Sequence, residues 1–235
     1  MPAKIVFLGP ESTGKSSISS EVAQICNATF VPEFARTYLN EHGTSYSYSD
    51  VIKIAETQAQ LELEAEATGK TIICDTDLIT IRIWLEYYNW KVPEWMEAFI
   101  VKHQANKYLL LYPDIPWVAD EQRKNPHDRI ELFNRFKQHL IGLNANYSII
   151  KGIGQTRLED CLKEVQKTRL LSHQLRCFIT SSSILSFETL SSDNSTVELL
   201  TPYTFIALSL ITFTSSTKCV LKEWLKLFEV SVNNN

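Results

Sequence analysis

The sequence predicts an α/β fold, a parallel sheet with helices on both faces, followed by an atypical extension rich in Ser, Thr and Leu. Apolar runs at residues 5–8, 71–74, 108–111 and 147–150 have the length and composition of strands buried on both sides. Helical periodicity fills the intervals between them, and such alternation builds a parallel sheet. The first run leads directly into Gly9-Pro10-Glu11-Ser12-Thr13-Gly14-Lys15-Ser16, the spacing of a phosphate-cradling loop between a strand and a helix.

In that loop Gly9 and Gly14 permit backbone angles that let successive N–H groups wrap an anion, and the helix opening near Lys15 points its positive end at it. The expected ligand is a nucleoside triphosphate, with Glu11, Ser12, Thr13 and Ser17 around the phosphates, Lys15 at the β/γ-phosphates and the Ser16 hydroxyl on Mg²⁺. A glycine turn without a ligand is the alternative. Residues 30–32 read as the next strand, with Pro32 confined to its end. Ligands of open parallel sheets sit outside the carboxyl ends of the strands, which directs attention to residues 33–36, 75–77 and 114–129. Glu33 either forms a solvated i,i+3 ion pair with Arg36 or joins it at the substrate, binding ribose hydroxyls or acting as base.

A helix from about Asp50 to Gly69, capped by Ser47 or Ser49, presents Val51, Ile54, Ala55 and Ala65 on one face with Gln58 in its middle. A buried amide there must be hydrogen-bonded, to neighbouring backbone or to a ligand. Asp75 and Asp77 bracket Thr76 at the third strand's end. Phosphoryl transfer needs one carboxylate to hold Mg²⁺, assigned with Ser16 to Asp75, and another to accept the attacking hydroxyl's proton; Asp77 can also cap a helix, and the two roles are compatible. Residues 78–90 are apolar around nearly the whole circumference, so this helix is largely buried or borders a pocket. Trp84, Tyr87, Tyr88 and Trp90 give it an aromatic surface, mostly core, where a ring can stack on a planar substrate. Beyond Trp117, the charged run 119–129 reads as a mobile lid whose Arg123 and Arg129 suit bidentate contact with phosphate. A solvated surface loop is the alternative. A helix with Leu132, Phe136 and Leu140 follows it.

At 235 residues, a net charge of -4 and a pI near 5.8, the chain lacks the basic surface of a general nucleic-acid binder, and a small-molecule partner is expected. Five scattered cysteines without C-x-x-C spacing suggest reduced thiols, neither a disulfide frame nor a zinc site. Residues 1–4 lead straight into a strand, with no room for a signal-peptide core, so a cytoplasmic location is expected. Charges thin out after residue 170, and between residues 181 and 217 nearly half the positions are Ser or Thr. Residues 203–213 are apolar but too few for a transmembrane span, which needs about 18 or more. Val220, Leu221, Trp224, Leu225, Leu227 and Phe228 form a helical stripe of the kind that docks on a core.

The phosphate loop, Pro32-Glu-Phe-Ala-Arg36, Asp75-Thr-Asp-Leu-Ile-Thr80 and Pro116-Trp-Val-Ala-Asp120 through Arg123, in this order, resemble the ribosylnicotinamide kinase domain of bacterial NAD-salvage proteins, a branch of the P-loop kinases sometimes labelled AAA-type ATPases. The resemblance spans about residues 3–168 and implies ATP- and Mg²⁺-dependent phosphorylation of the 5′-hydroxyl of nicotinamide riboside to nicotinamide mononucleotide. It also implies P-loop roles for Lys15 and Ser16, acidic-motif roles for Asp75 and Asp77, and a lid role for Arg123, with the substrate pocket expected among Glu33, Arg36, Gln58, Asp77, Trp84, Tyr88 and Trp117. The division expected is a kinase domain at residues 1–170 and an extension of unknown role at 171–235. The H-x-G-H-type motif of an adenylyltransferase is absent, and the lid reads Asp120-Glu-Gln-Arg123 where the family usually has Asp-Gly-Leu-Arg. From another class stands a nucleotide-dependent regulatory ATPase or switch with a partner- or membrane-docking tail; it needs no acceptor pocket.

Overall fold

The structure, a computed structural model, describes residues 3–118 and 128–188. Five strands, β1 (Lys4–Leu8), β2 (Thr29–Val31), β3 (Ile72–Asp75), β4 (Lys107–Leu111) and β5 (Tyr147–Ile150), form one parallel sheet in the order β2-β3-β1-β4-β5. Around it, among the described residues, lie α1 (Lys15–Ile25), α2 (Phe34–His42), α3 (Tyr48–Ala67), α4 (Leu78–Tyr87), α5 (Glu94–Lys102), α6 (Arg129–Gly142) and α7 (Gly154–Glu188).

Alternation along the strands divides the core in two, because successive side chains leave opposite faces of the sheet. Val6, Leu8, Ile72, Cys74, Tyr108 and Leu110 pack against buried residues of α2 to α6. Ile5, Phe7, Ile73, Leu109 and Leu111 pack against Ile18 and Val22 of α1 and Leu158, Cys161 and Val165 of α7. Phe7 sits opposite both Asp75 of β3 and Leu109 of β4, which aligns three carboxyl-terminal strand ends. From β1 the chain runs to the edge at β2, returns through β3, and then crosses β1 to β4. The crevice above β3, β1 and β4 is therefore the topological switch point.

The expected strands are all present, and β2 stops at Val31 with Pro32 just beyond. Ser47 is the cap of α3: its hydroxyl accepts from the Asp50 N–H, while the Ser47 N–H donates to the Asp50 carboxylate in a capping box. α4 ends at Tyr87, short of Trp90, where Asn89 turns at φ 53. Two nine-residue helices, α2 and α5, were not foreseen as separate elements; each buries only two residues, Tyr38 and Leu39 in one and Met96 and Ile100 in the other, too few to make a periodic signal. α7 runs unbroken through residue 170 to Glu188, and the compact unit carrying all five strands spans Met1–Ile184. The apolar segments at 203–213 and 220–228 lie outside the described residues. Among the described residues no helix is long and apolar enough to cross a membrane.

Candidate active site

At the end of β1 the chain enters a loop built from left-handed backbone. Gly9 has φ 143, Ser12 φ 56 and Gly14 φ 77. A β-carbon at Gly9 would lie 2.7 Å from the carbonyl oxygen of Leu111 in β4, so only glycine lets the loop pass that strand. Gly14 is the N-cap of α1 and has no side chain to cap with, which leaves the first N–H groups of the helix turned to the loop's hollow. Lys15 folds back over this hollow, its Nζ donating to the carbonyls of Gly9 at 2.8 Å and Pro10 at 3.0 Å. Thr13 is buried and donates to the Pro10 carbonyl at 2.9 Å, so its side chain fastens the loop from inside.

Two arginines hold the loop from outside. Arg157 of α7, 2% exposed, donates to the Thr13 carbonyl at 2.6 Å and the Tyr112 carbonyl at 2.9 Å and pairs with Asp114. Arg129, the first residue of α6, donates to the carbonyls of Ser12 and Ile115, each at 2.9 Å, and lies over the Trp117 ring. Arg129 was expected to meet phosphate; here its fork is occupied by loop carbonyls, because α6 brings it beneath the loop. Trp117 lies against that guanidinium and not in the cavity described next. Arg157 was missed: a lone arginine about 145 residues from the loop carries no local sequence signal. Arg123 falls outside the described residues.

The loop lines a cavity of about 330 Å³. Glu11, Ser12, Thr13, Lys15, Ser16 and Ser17 contribute from the loop and the start of α1, and Glu33, Arg36, Gln58 and Thr76 line the same space. Tyr46, Trp84, Tyr87 and Tyr88 give it an aromatic wall. Tyr46 was not foreseen. The Trp84 indole donates to its hydroxyl at 3.1 Å, and the Tyr46 and Tyr88 hydroxyls share a hydrogen bond at 2.9 Å, so the aromatic wall is cross-linked by its polar atoms.

Asp75, at the end of β3, lies beside the Ser16 hydroxyl, while its buried Oδ1 has no partner among the described residues. Burial raises its pKa, partly offset by the Lys15 ammonium. Glu33, the N-cap residue of α2, is raised likewise, first by desolvation and then by the negative charge of Asp75. Its ion pair with Arg36 is present but loose, at 4.0 Å. An orphaned carboxylate oxygen beside a serine hydroxyl at a phosphate loop suits a hard, oxygen-seeking cation such as Mg²⁺.

Asp77 departs from expectation. It is 6% exposed, does not line the cavity, and its Oδ1 accepts from the Ile79 N–H at 2.9 Å as the cap of α4. Burial, and next the neighbouring Glu62, push its carboxyl up to about 7. Residues i and i+2 share a face only while the chain stays a strand, and Thr76 breaks the strand at φ 70. Glu33 takes the place beside Asp75 that the sequence offered to Asp77.

A strand, a glycine loop and the helix it opens, set at the switch point of a parallel sheet, define a P-loop nucleotide-binding domain of the kinase type. The chain belongs to the AAA domain family, whose model matches residues 4–157. It is 32% identical over 150 residues to the trifunctional NAD biosynthesis/regulator protein NadR of Escherichia coli, an alignment covering 61% of this chain and 37% of that protein. NadR of Salmonella typhimurium is likewise 32% identical, over 124 residues, 51% of this chain and 30% of that protein. The chain thus spans about a third of the length of the curated relatives it matches. Among solved structures, a NadR protein in complex with NAD and AMP-PNP superposes with a TM-score of 0.59 at 20% identity, over 72% of this chain and 50% of that one. A NadR protein in complex with NR superposes at 0.58 and 18% identity, over 72% and 52%. These likenesses establish the shared fold and bear out the resemblance drawn from the motifs.

Proposed function

We propose that this chain is an ATP-dependent nucleoside kinase that phosphorylates the 5′-hydroxyl of nicotinamide riboside to give nicotinamide mononucleotide. The observation that carries this reading is that one cavity is lined both by the phosphate loop and by carboxylates, an amide and an aromatic wall. A nucleotide-dependent switch has no use for that second set of groups. The relatives' complexes with AMP-PNP and with NR are consistent with the two occupants.

In this mechanism the N–H groups of the loop and of α1 bind the phosphates, and Lys15 exchanges its two loop carbonyls for phosphate oxygens. Ser16 and Asp75 would hold Mg²⁺, which neutralises charge on the β- and γ-phosphates when bound. Glu33 accepts the proton of the attacking 5′-hydroxyl; its raised pKa brings it closer to the working pH, where a general base is most effective. The pyridinium ring lies against Trp84, Tyr46 and Tyr88, with Glu11 and Glu33 facing the same space.

Cation–π contact is worth ~2 kcal/mol when desolvated, a tenfold or greater preference for a cationic nucleoside over a neutral one. The test incubates the protein with ATP, Mg²⁺ and nicotinamide riboside, uridine or cytidine, and follows monophosphate formation. The expected kcat/KM is about tenfold or more higher for nicotinamide riboside. Equal rates with the pyrimidine nucleosides would overturn the specificity, and no monophosphate from any nucleoside would overturn the kinase.

A further inference from the structure

Gln58 is 1% exposed, sits on α3 and lines the cavity that the phosphate loop and the aromatic wall share. Its amide has a fixed orientation. The Oε1 accepts from the backbone N–H of Phe34 at 3.0 Å, and a backbone N–H can only donate, so the other end of the amide must be the NH₂ group. Among the described residues that Nε2 is buried without a partner. Phe34 is the first residue of α2, directly after Glu33, so the bond ties the Gln58 amide to the backbone beside Glu33, and both side chains line the same cavity. From the neighbouring helix the Thr80 hydroxyl, also buried and without a partner among the described residues, lines that cavity too. Buried polar groups are otherwise almost always matched.

We infer that Gln58 is a specificity-determining residue that reads the sugar of the acceptor: its Nε2–H donates to the oxygen of the 2′- or 3′-hydroxyl, whose O–H donates a hydrogen bond to one carboxylate oxygen of Glu33 and leaves the other for the attacking 5′-hydroxyl. The inference rests on the nucleoside-kinase reading and names what that site distinguishes. A hydroxyl satisfies a donor and an acceptor set side by side, because it accepts on its lone pairs and donates through its O–H. A deoxyribose leaves both protein groups unpaired, and sites built to hydrogen-bond a substrate hydroxyl discriminate strongly against analogues lacking it. The position of Gln58 beside Glu33, which feels the charge of Asp75 and Lys15, puts the contact at the sugar and not at the base.

The test measures kcat/KM for nicotinamide riboside and its 2′-deoxy and 3′-deoxy forms, with wild-type protein and with Gln58→Glu. The variant keeps an oxygen for the Phe34 N–H but has no N–H to donate, so a purely structural capping role predicts wild-type discrimination. The expected result is a wild-type preference of about tenfold or more for the riboside over at least one deoxy form, falling below about threefold in Gln58→Glu. A wild-type ratio near one, or an unchanged ratio in a folded Gln58→Glu protein, overturns the inference while the kinase reading stands. If Gln58→Glu does not fold, the wild-type ratio decides alone. If no nucleoside is phosphorylated the kinase reading fails, and the ratio is then read from dissociation constants of the same three compounds, where a value near one overturns the contact.

Discussion

Thr76 is a β-branched residue held at φ 70, a conformation costing on the order of 1–3 kcal/mol and usually found where a site requires it. Its N–H donates to the Phe7 carbonyl at 3.1 Å, so the pairing with β1 continues one residue past β3 while the backbone turns. The turn sends Asp75 toward Ser16 and Asp77 into the core, and it separates the expected effects of two identical substitutions. Asp75→Asn should lower kcat by about a hundredfold or more, since it removes the carboxylate proposed for Mg²⁺. Asp77→Asn keeps a side-chain oxygen for the cap and should turn over near the wild-type rate. Its effect belongs to stability. The Asp77 carboxyl titrates near 7 in the fold against an ordinary value of 3.8, so the folded state binds more protons between those pH values and stability falls as pH rises through them. Asp77→Asn should therefore melt higher than wild type at pH 8, by about 1–3 kcal/mol, with the gap closing toward pH 4. A lower melting temperature at pH 8, or a large loss of kcat, would return Asp77 to the catalytic pair. Lys15→Ala should abolish phosphoryl transfer and leave the fold intact, because among the described residues its ammonium bonds only loop carbonyls; near-normal turnover by the folded variant would remove the kinase assignment.

The phosphate loop gains its rigidity from elements far along the chain. Thr13, Arg129 and Arg157 together occupy the carbonyls of Pro10, Ser12, Thr13, Tyr112 and Ile115, fixing the loop on one side so that its N–H groups are presented on the other. α7 is thus part of the nucleotide site without touching its cavity. Arg157→Lys keeps the charge but not the planar fork, and one ammonium cannot reach two carbonyls and Asp114 in the same geometry. The expected cost is about 3 kcal/mol, a drop of roughly 6–12 °C in melting temperature, together with a higher KM for ATP. Calorimetry and ATP titration read both, and a variant with wild-type values would show that the loop holds its shape unaided. α3 contributes in the same indirect way: Gln58 caps the start of α2, and α2 carries Glu33.

For the molecule as a whole, the described contacts of α7 with the sheet come early in the helix. Leu158, Cys161, Val165 and Thr168 are buried, Arg169 donates to the Cys26 carbonyl, and Leu170 is 65% exposed. A chain cut after Leu170 should keep ATP binding and cooperative unfolding; an insoluble or non-cooperative product would show that later residues cover the core. The strands, the phosphate loop with Lys15 and Ser16, the helix cap at Ser47, the strand end before Pro32, and the presence of acids at strand ends were all legible in the sequence, because each depends on neighbours within a few residues. Local periodicity also placed Gln58 on a buried face, though not the direction of its amide. What only the tertiary structure decided is which acids meet. Strand order brought β3 beside β1, one left-handed residue turned Asp77 away, and the return of the chain at β2 put Glu33 in its place. Arg157 and Tyr46 joined the site by the same route: packing sets the distance between residues remote in sequence, and no pattern of adjacent side chains encodes it.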